Sequence, residues 1–334
     1  MTAKETWIKK GYVDEPIPEG IDLSTEIRRL CKEKNAVILA HYYTEGAVQD
    51  VADFVGDSLA LAQWAAKTEA DIIVMCGVHF MGETNKLLCP QKKVLVCDLN
   101  AGCSLADSCE AGDLKAFIDA HPGHKVVSYV NTTAAVKALT DVVVTSSNAK
   151  LIVDSFPQDE KLIFGPDKNL GNYINSLTGR QMVLWEGGCH VHGQFSLEKI
   201  LLLKEAHPQA KLLVHPECPA AIQALADVIG STAGLLNYAK HSEATEFIVA
   251  TESGILHQMT RQCPEKTFIP APPETSETIG CSCNECAYMR LNTLPKLYNT
   301  LLYEWPTIEV DAAIAEKAVK PIERMLEISK QLKG

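Results

Sequence analysis

One phrase occurs three times in this chain, and it constrains the fold more than any other feature. Residues 36–58 read AVILAHYYTEGAVQDVADFVGDS, residues 126–146 read VVSYVNTTAAVKALTDVVVTS, and residues 212–232 read LLVHPECPAAIQALADVIGST. His41, Tyr129 and His215 stand in register, 88 and then 86 residues apart. Asp53, Asp141 and Asp227 keep the same offsets, as do Ser58, Ser146 and Thr232. Cys103 and Cys189 are also 86 apart, so the register holds to the end of a unit. Agreement at several positions across three copies marks an internal triplication, and such a repeat decides the architecture.

Each copy runs on in the same way. After the hydroxyl residue comes a helix-length segment, then an apolar strand: DIIVMC, KLIFG or EFIVA. A further helix follows, then a last strand: KVLVC, MVLWE or TFIPA. Short apolar runs alternating with helical segments of about 10–15 residues predict βαβ units and a parallel sheet. The fold class expected is α/β: three homologous three-layer αβα domains with four-stranded parallel sheets around a pseudo-threefold axis. The expected boundaries are residues 1–105, 106–191 and 192–290, with an opening helix from Leu23 capped by Asp22 or Ser24. A final helix over 306–334, capped by Asp311, is expected to pack back on the first domain. Ligands of open parallel sheets bind outside the carboxyl ends of the strands. The tips HYY, YVN and HPE are therefore expected to converge on one cleft.

With 42 acidic against 31 basic side chains, the net charge of −11 argues against nucleic acid and anionic membranes as partners. Apolar runs are strand-sized, short of a membrane span, and the first 20 residues hold no hydrophobic signal core. A cytoplasmic location is the expectation. In that compartment the 12 cysteines do not form a disulfide framework, and Cys31, Cys76 and Cys97 read as core residues. Three positions resist that reading. Cys103 in NAGCSLADSC precedes a helix-like start, where amide dipoles lower a thiol pKa. Cys189 in WEGGCHVHG is flanked by Gly187 and Gly188, which leave room for a bulky group. Cys286 closes C-S-C-N-E-C, and with Cys281 and Cys283 it forms a metal-binding or redox-active pattern. An insertion of 11 residues separates it from strict register with Cys189.

At the tips, His41 and His215 occupy equivalent places, which favours function over an incidental core histidine. Glu217 beside His215 is suited to acid/base work. Ser58, Ser146 and Thr232 open helices, where hydroxyls either cap the helix or hold anion oxygens. Glu252 in ATESG is a weaker candidate for orienting the cleft. One thiolate from each of three units gives trigonal ligation with a fourth place open. An iron–sulfur cluster with one exchangeable iron fits that pattern, and so does a zinc site that adds His190 and His192. A redox sensor is a further alternative, but it has no use for matched polar tips.

Taken with FMGET, ATESG and CAYMRLNTL, the phrases above resemble the quinolinate synthase A family of iron–sulfur enzymes in NAD biosynthesis. The resemblance covers nearly the whole chain. It implies a [4Fe-4S] cluster held by Cys103, Cys189 and Cys286. It also implies a transferase that condenses iminoaspartate (iminosuccinate) with dihydroxyacetone phosphate to quinolinate, phosphate and two waters. Carried over by position, the substrate-binding set is His41, Ser58, Tyr129, Val130, Asn131, Ser146, His215, Pro216, Glu217 and Thr232. Tyr43 and Glu217, with His41 and His215, are the catalytic candidates. An aspartate-oxidising enzyme is the implied supplier of the imine. Some members carry C-x-x-C-x-x-C before the AYM-like segment, and their first two cysteines form a regulatory disulfide. Here the C-x-C spacing of Cys281 and Cys283 makes too tight a ring for that.

Overall fold

Each repeat folds into four parallel strands joined by helical crossovers. The computed structural model describes residues 2–274 and 284–330, so Cys281 and Cys283 lie outside the described residues. The strands of the first repeat are β1 (Ala36–His41), β2 (Phe54–Gly56), β3 (Ile72–Cys76) and β4 (Lys93–Val96). The second repeat supplies β5 (Lys125–Tyr129), β6 (Val142–Val144), β7 (Leu162–Gly165) and β8 (Val183–Leu184). The third supplies β9 (Lys211–Val214), β10 (Val228–Ile229), β11 (Glu246–Ala250) and β12 (Thr267–Pro270). Their orders are β2-β1-β3-β4, β6-β5-β7-β8 and β10-β9-β11-β12, one topology used three times. Every pairing within these sheets is parallel. Strand order reverses between the first and third strand of each sheet, and that is where an open α/β sheet binds its ligand.

Continuous apolar strands are what a sheet covered on both faces requires. Every residue of β3 and β7 is buried. The first sheet packs Ile38, Ala40, Val74 and Leu95 against Ile27 and Leu30 of the helix Leu23–Glu33 and Leu297 and Leu301 of the helix Leu294–Tyr303. In the third sheet, Leu212, Val214 and Ile248 close on Ile200 and Ile222.

Two compact units divide the chain. One comprises Met1–Cys103, Thr133–Ala138 and Ala287–Glu323 and contains the first sheet; the other comprises Ser104–Thr132, Leu139–Cys286 and Arg324–Gly334 and contains the second and third sheets. In the first unit, Asp22 rather than Ser24 caps the opening helix, its carboxylate accepting the Ser24 amide at 3.1 Å. The final helix begins at Ala312 and not at Pro306, with Asp311 accepting the amides of Ala313 and Ile314. The residues before it are used otherwise: the Val96 amide donates to the Pro306 carbonyl and the Ile308 amide to that of Val94. That segment lies antiparallel along β4, covering the sheet edge. In the second unit, the end of that helix is fastened by the Asn148 amide, which donates to the Ser329 hydroxyl at 2.9 Å. Among the described residues no helix is long and apolar enough to cross a membrane.

Candidate active site and cysteine loops

His41 and Tyr129 are the last residues of β1 and β5, and His215 follows β9 directly. All three are buried. Nδ1 of His41 accepts the Tyr43 amide at 3.2 Å, and Nδ1 of His215 accepts the Glu217 amide at 3.3 Å. The two histidine tips are also clamped by a glutamine. The Gln49 side chain donates to the carbonyls of Tyr42 and Thr44, and Gln223 donates to those of Pro216 and Cys218 at the matching places. The same register in the second repeat holds Lys137, which is fully buried.

Tyr129 and Glu217 meet inside the second unit, the hydroxyl donating to Oε1 at 2.5 Å. His192 completes the group: its Nδ1 lies 3.1 Å from Glu217 Oε2, and its Nε2 lies 2.9 Å from the Thr251 hydroxyl. The imidazoles of His192 and His215 stack with centroids 4.6 Å apart. Burial alone would raise the Glu217 pKa. His192, His215 and the Tyr129 hydroxyl outweigh it and hold the carboxyl at about 2. Asp167, buried nearby, is pushed upward by burial and by the Glu217 charge.

Val130 is buried and donates its amide to the Val144 carbonyl, while Asn131 is half-buried. Pro216 is buried between His215 and Glu217. Tyr43 is half-buried, its ring edge-on to His41 at 4.5 Å. Ser58 and Thr232 open their helices, yet the capping falls to the residue before each. Asp57 accepts the Ala60 amide at 3.0 Å and Ser231 accepts the Gly234 amide at 3.1 Å. In the second repeat Asn148 takes the Thr145 amide, and Ser146 is half-buried beside it. Capping therefore does not account for the hydroxyls of Ser58 and Thr232.

The cysteines of the register sit on loops hung from the turn after each third strand. His79 donates its amide to the Ala101 carbonyl at 2.7 Å, Lys168 to that of Gly187 at 3.0 Å, and Ser253 to that of Asn284 at 3.1 Å. Each of these carbonyls lies two residues before a cysteine: Cys103, Cys189 or Cys286. All three thiols are half-exposed; among the other described cysteines only Cys31 is, and burial pushes its thiol up to about 12. Donor atoms of Cys189, His192 and Glu217 lie within 4.8 Å of one another. Half-exposed thiols on anchored loops suit a soft metal centre, so the three cysteines, rather than that mixed donor set, fit an iron–sulfur group. Sequence reasoning had His192 only as a zinc ligand. It missed Asp167 and the Gln49 and Gln223 clamps, although the two glutamines stand in the repeat register.

The fold and the site define an α/β enzyme with histidine, tyrosine and carboxylate at its strand ends and thiolate loops beside them. A family model described as "NadA: Quinolinate synthetase A protein" matches residues 25–327. The chain is 55% identical over 309 residues to the quinolinate synthase of Trichormus variabilis, covering 92% of this chain and 94% of that protein. It is 55% identical over 314 residues to that of Thermosynechococcus vestitus, covering 94% and 97%. Identity to the quinolinate synthase of Chloroherpeton thalassium is 53% over 310 residues, covering 93% and 95%. The chain belongs to the quinolinate synthetase A family.

Proposed function

We propose that the protein makes quinolinate for NAD biosynthesis in the cytoplasm, condensing iminoaspartate with dihydroxyacetone phosphate and releasing phosphate and two waters. The observation that carries this reading is the triplicated strand tip paired with a half-exposed cysteine in every copy. Cys103, Cys189 and Cys286 hold a [4Fe-4S] cluster, which when bound supplies a Lewis-acidic iron with one position not taken by cysteine. The remaining chemistry falls to side chains. His41 and His215 donate to substrate oxygens. Ser58, Ser146 and Thr232, with Asn131, hold the carboxylate and phosphate oxygens. Glu217 enters the reaction ionised. Its basicity rises when substrate draws the Tyr129 hydroxyl away, so it accepts a proton only in the occupied site. Tyr43 is the second proton-transfer group. Val130 and Pro216 contribute main-chain walls to the same tips. An aspartate-oxidising enzyme supplies the imine, which water would otherwise hydrolyse.

The test is iron and acid-labile sulfide on protein purified without oxygen, followed by an assay for quinolinate. About four of each per chain, with product formed from the two substrates, is the expected result. The Cys189–His192–Glu217 donor set favours one other reading, a zinc site. Zinc without sulfide would replace the cluster by that site and sink the synthase reading.

A further inference from the structure

Two buried carboxylates stand directly behind two of the cysteines. Asp167 lies two residues past the end of β7, and Glu252 lies two residues past the end of β11. Exposure is 0% for Asp167 and 1% for Glu252. One oxygen of each serves its own turn: Asp167 Oδ1 accepts the Leu170 amide at 2.7 Å, and Glu252 Oε2 accepts the Gly254 amide at 2.7 Å. The other oxygen reaches the cysteine loop. Asp167 Oδ2 accepts the Cys189 amide at 3.2 Å, and Glu252 Oε1 accepts the Cys286 amide at 3.1 Å. The matching place in the first sheet, two residues past β3, is Val78, which has no carboxylate to offer, and there the main-chain latch runs from His79 to Ala101.

We propose that Asp167 and Glu252 are positioning residues for the thiolates of Cys189 and Cys286, and that they hold the bound cluster at a low reduction potential. This rests on the reading of those cysteines as ligands. A main-chain latch already sets the height of each loop, so the carboxylates are not needed to fold it. What they add is specific to the sulfur. Each takes up the cysteine's own amide and brings an acidic side chain against the cysteine loop. Negative charge placed around a cluster lowers its potential. A cluster kept from accepting electrons remains available as a Lewis acid. Partners behind metal ligands typically account for 10- to 100-fold in metal retention.

The experiment compares wild type, Cys189→Ser, Cys286→Ser, Asp167→Asn and Glu252→Gln, all purified without oxygen. Serine variants with the full iron and sulfide load would remove the ligand reading, and this proposal with it. With the ligands in place, the two amide variants are expected to load iron normally and to lose it to a chelator about tenfold faster. Their midpoint potentials are expected to move upward, a change that a merely structural role would not produce. Wild-type loss rates and unchanged potentials in both would overturn the proposal and leave the ligands standing. Asp167 also caps the helix Lys168–Thr178. If Asp167→Asn does not fold, Glu252→Gln decides, because the helix Ile255–Gln262 has no side-chain cap.

Discussion

The Ser104 hydroxyl lies 2.5 Å from Nδ1 of His190, and each of these residues directly follows a cysteine of the repeat. They are equivalent positions of successive copies, 86 residues apart. Burial and the neighbouring His192 lower the His190 pKa, so the imidazole is neutral near pH 7 and the bond joins two neutral groups. Such a bond contributes about 1 kcal/mol. Ser104→Ala is therefore expected to lose about that much in urea unfolding of the metal-free protein, and to lose nothing further once His190 is alanine. Additive losses in the double variant would show that the two side chains are not coupled.

The three aspartates of the register do one structural job three times. Asp53 accepts the Ile38 amide at 2.7 Å, Asp141 that of Val126 at 2.8 Å, and Asp227 that of Leu212 at 2.8 Å. Each aspartate amide donates back to the carbonyl of the same residue, at 3.0, 2.9 and 3.0 Å. This paired bond closes the first crossover of every sheet. Alanine at any of the three is expected to cost about 1–2 kcal/mol, since it leaves a strand amide without its acceptor. Equal stability of Asp53→Ala and wild type by denaturant melts would count against the clamp.

These aspartates also mark what the sequence could disclose. Their register was plain, because a repeated βαβ unit repeats its polar residues along with its apolar ones. Their partner was not, since it is a main-chain amide 15 residues upstream that no side-chain pattern advertises. His192 was hidden for a similar reason: its contacts with Glu217 and Thr251 join residues 25 or more apart in sequence that only tertiary packing brings together. Asp167 reads as an ordinary polar residue after a strand until the Cys189 loop folds over it. The final helix expected from Pro306 starts at Ala312, because the stretch before it pairs with β4, a long-range partner that the local sequence does not show.

Lys137 has no exposed surface, and its Nζ lies 5.4 Å from the centre of the Phe80 ring. Burial lowers its pKa to about 8, against the opposing pull of Glu83 and Cys103. The folded value is below the unfolded one, so between pH 8 and 10.5 the unfolded chain binds the extra proton and stability rises with pH. Lys137→Gln carries the residue that the other two repeats use, and it lacks this titration. The stability gap between variant and wild type is expected to change by about 3 kcal/mol across that window. Parallel pH curves would mean that Lys137 does not titrate there.

The ligand assignment gives a sharp contrast among cysteines. Cys103→Ser, Cys189→Ser and Cys286→Ser are expected to abolish cluster assembly, whereas Cys281→Ser should leave the iron content unchanged. Cluster loss confined to changes at Cys281 and Cys283 would move the third ligand away from Cys286.

Tyr129 and Glu217 offer the most direct reading of the acid/base step. Glu217→Gln should keep its iron and lose about 10²–10⁴ in kcat, the usual contribution of a positioned acid or base. Tyr129→Phe removes the 2.5 Å bond to Oε1 and leaves the carboxylate to His192 and His215. With one stabilising partner gone, the Glu217 pKa must rise from about 2. A hydrogen bond to a charged group, about 1.5 kcal/mol, corresponds to roughly one pH unit. The acid limb of kcat/KM is therefore expected to move up by about that amount. Stability follows the same sign. A depressed carboxyl pKa contributes stability above pH 4.5 that is lost as pH falls toward 2, and Tyr129→Phe should shrink that contribution. Tyr43→Phe, which leaves this group intact, should lower turnover without moving the acid limb. If Tyr43→Phe shifted the limb and Tyr129→Phe did not, the proton would belong to Tyr43's surroundings and not to Glu217.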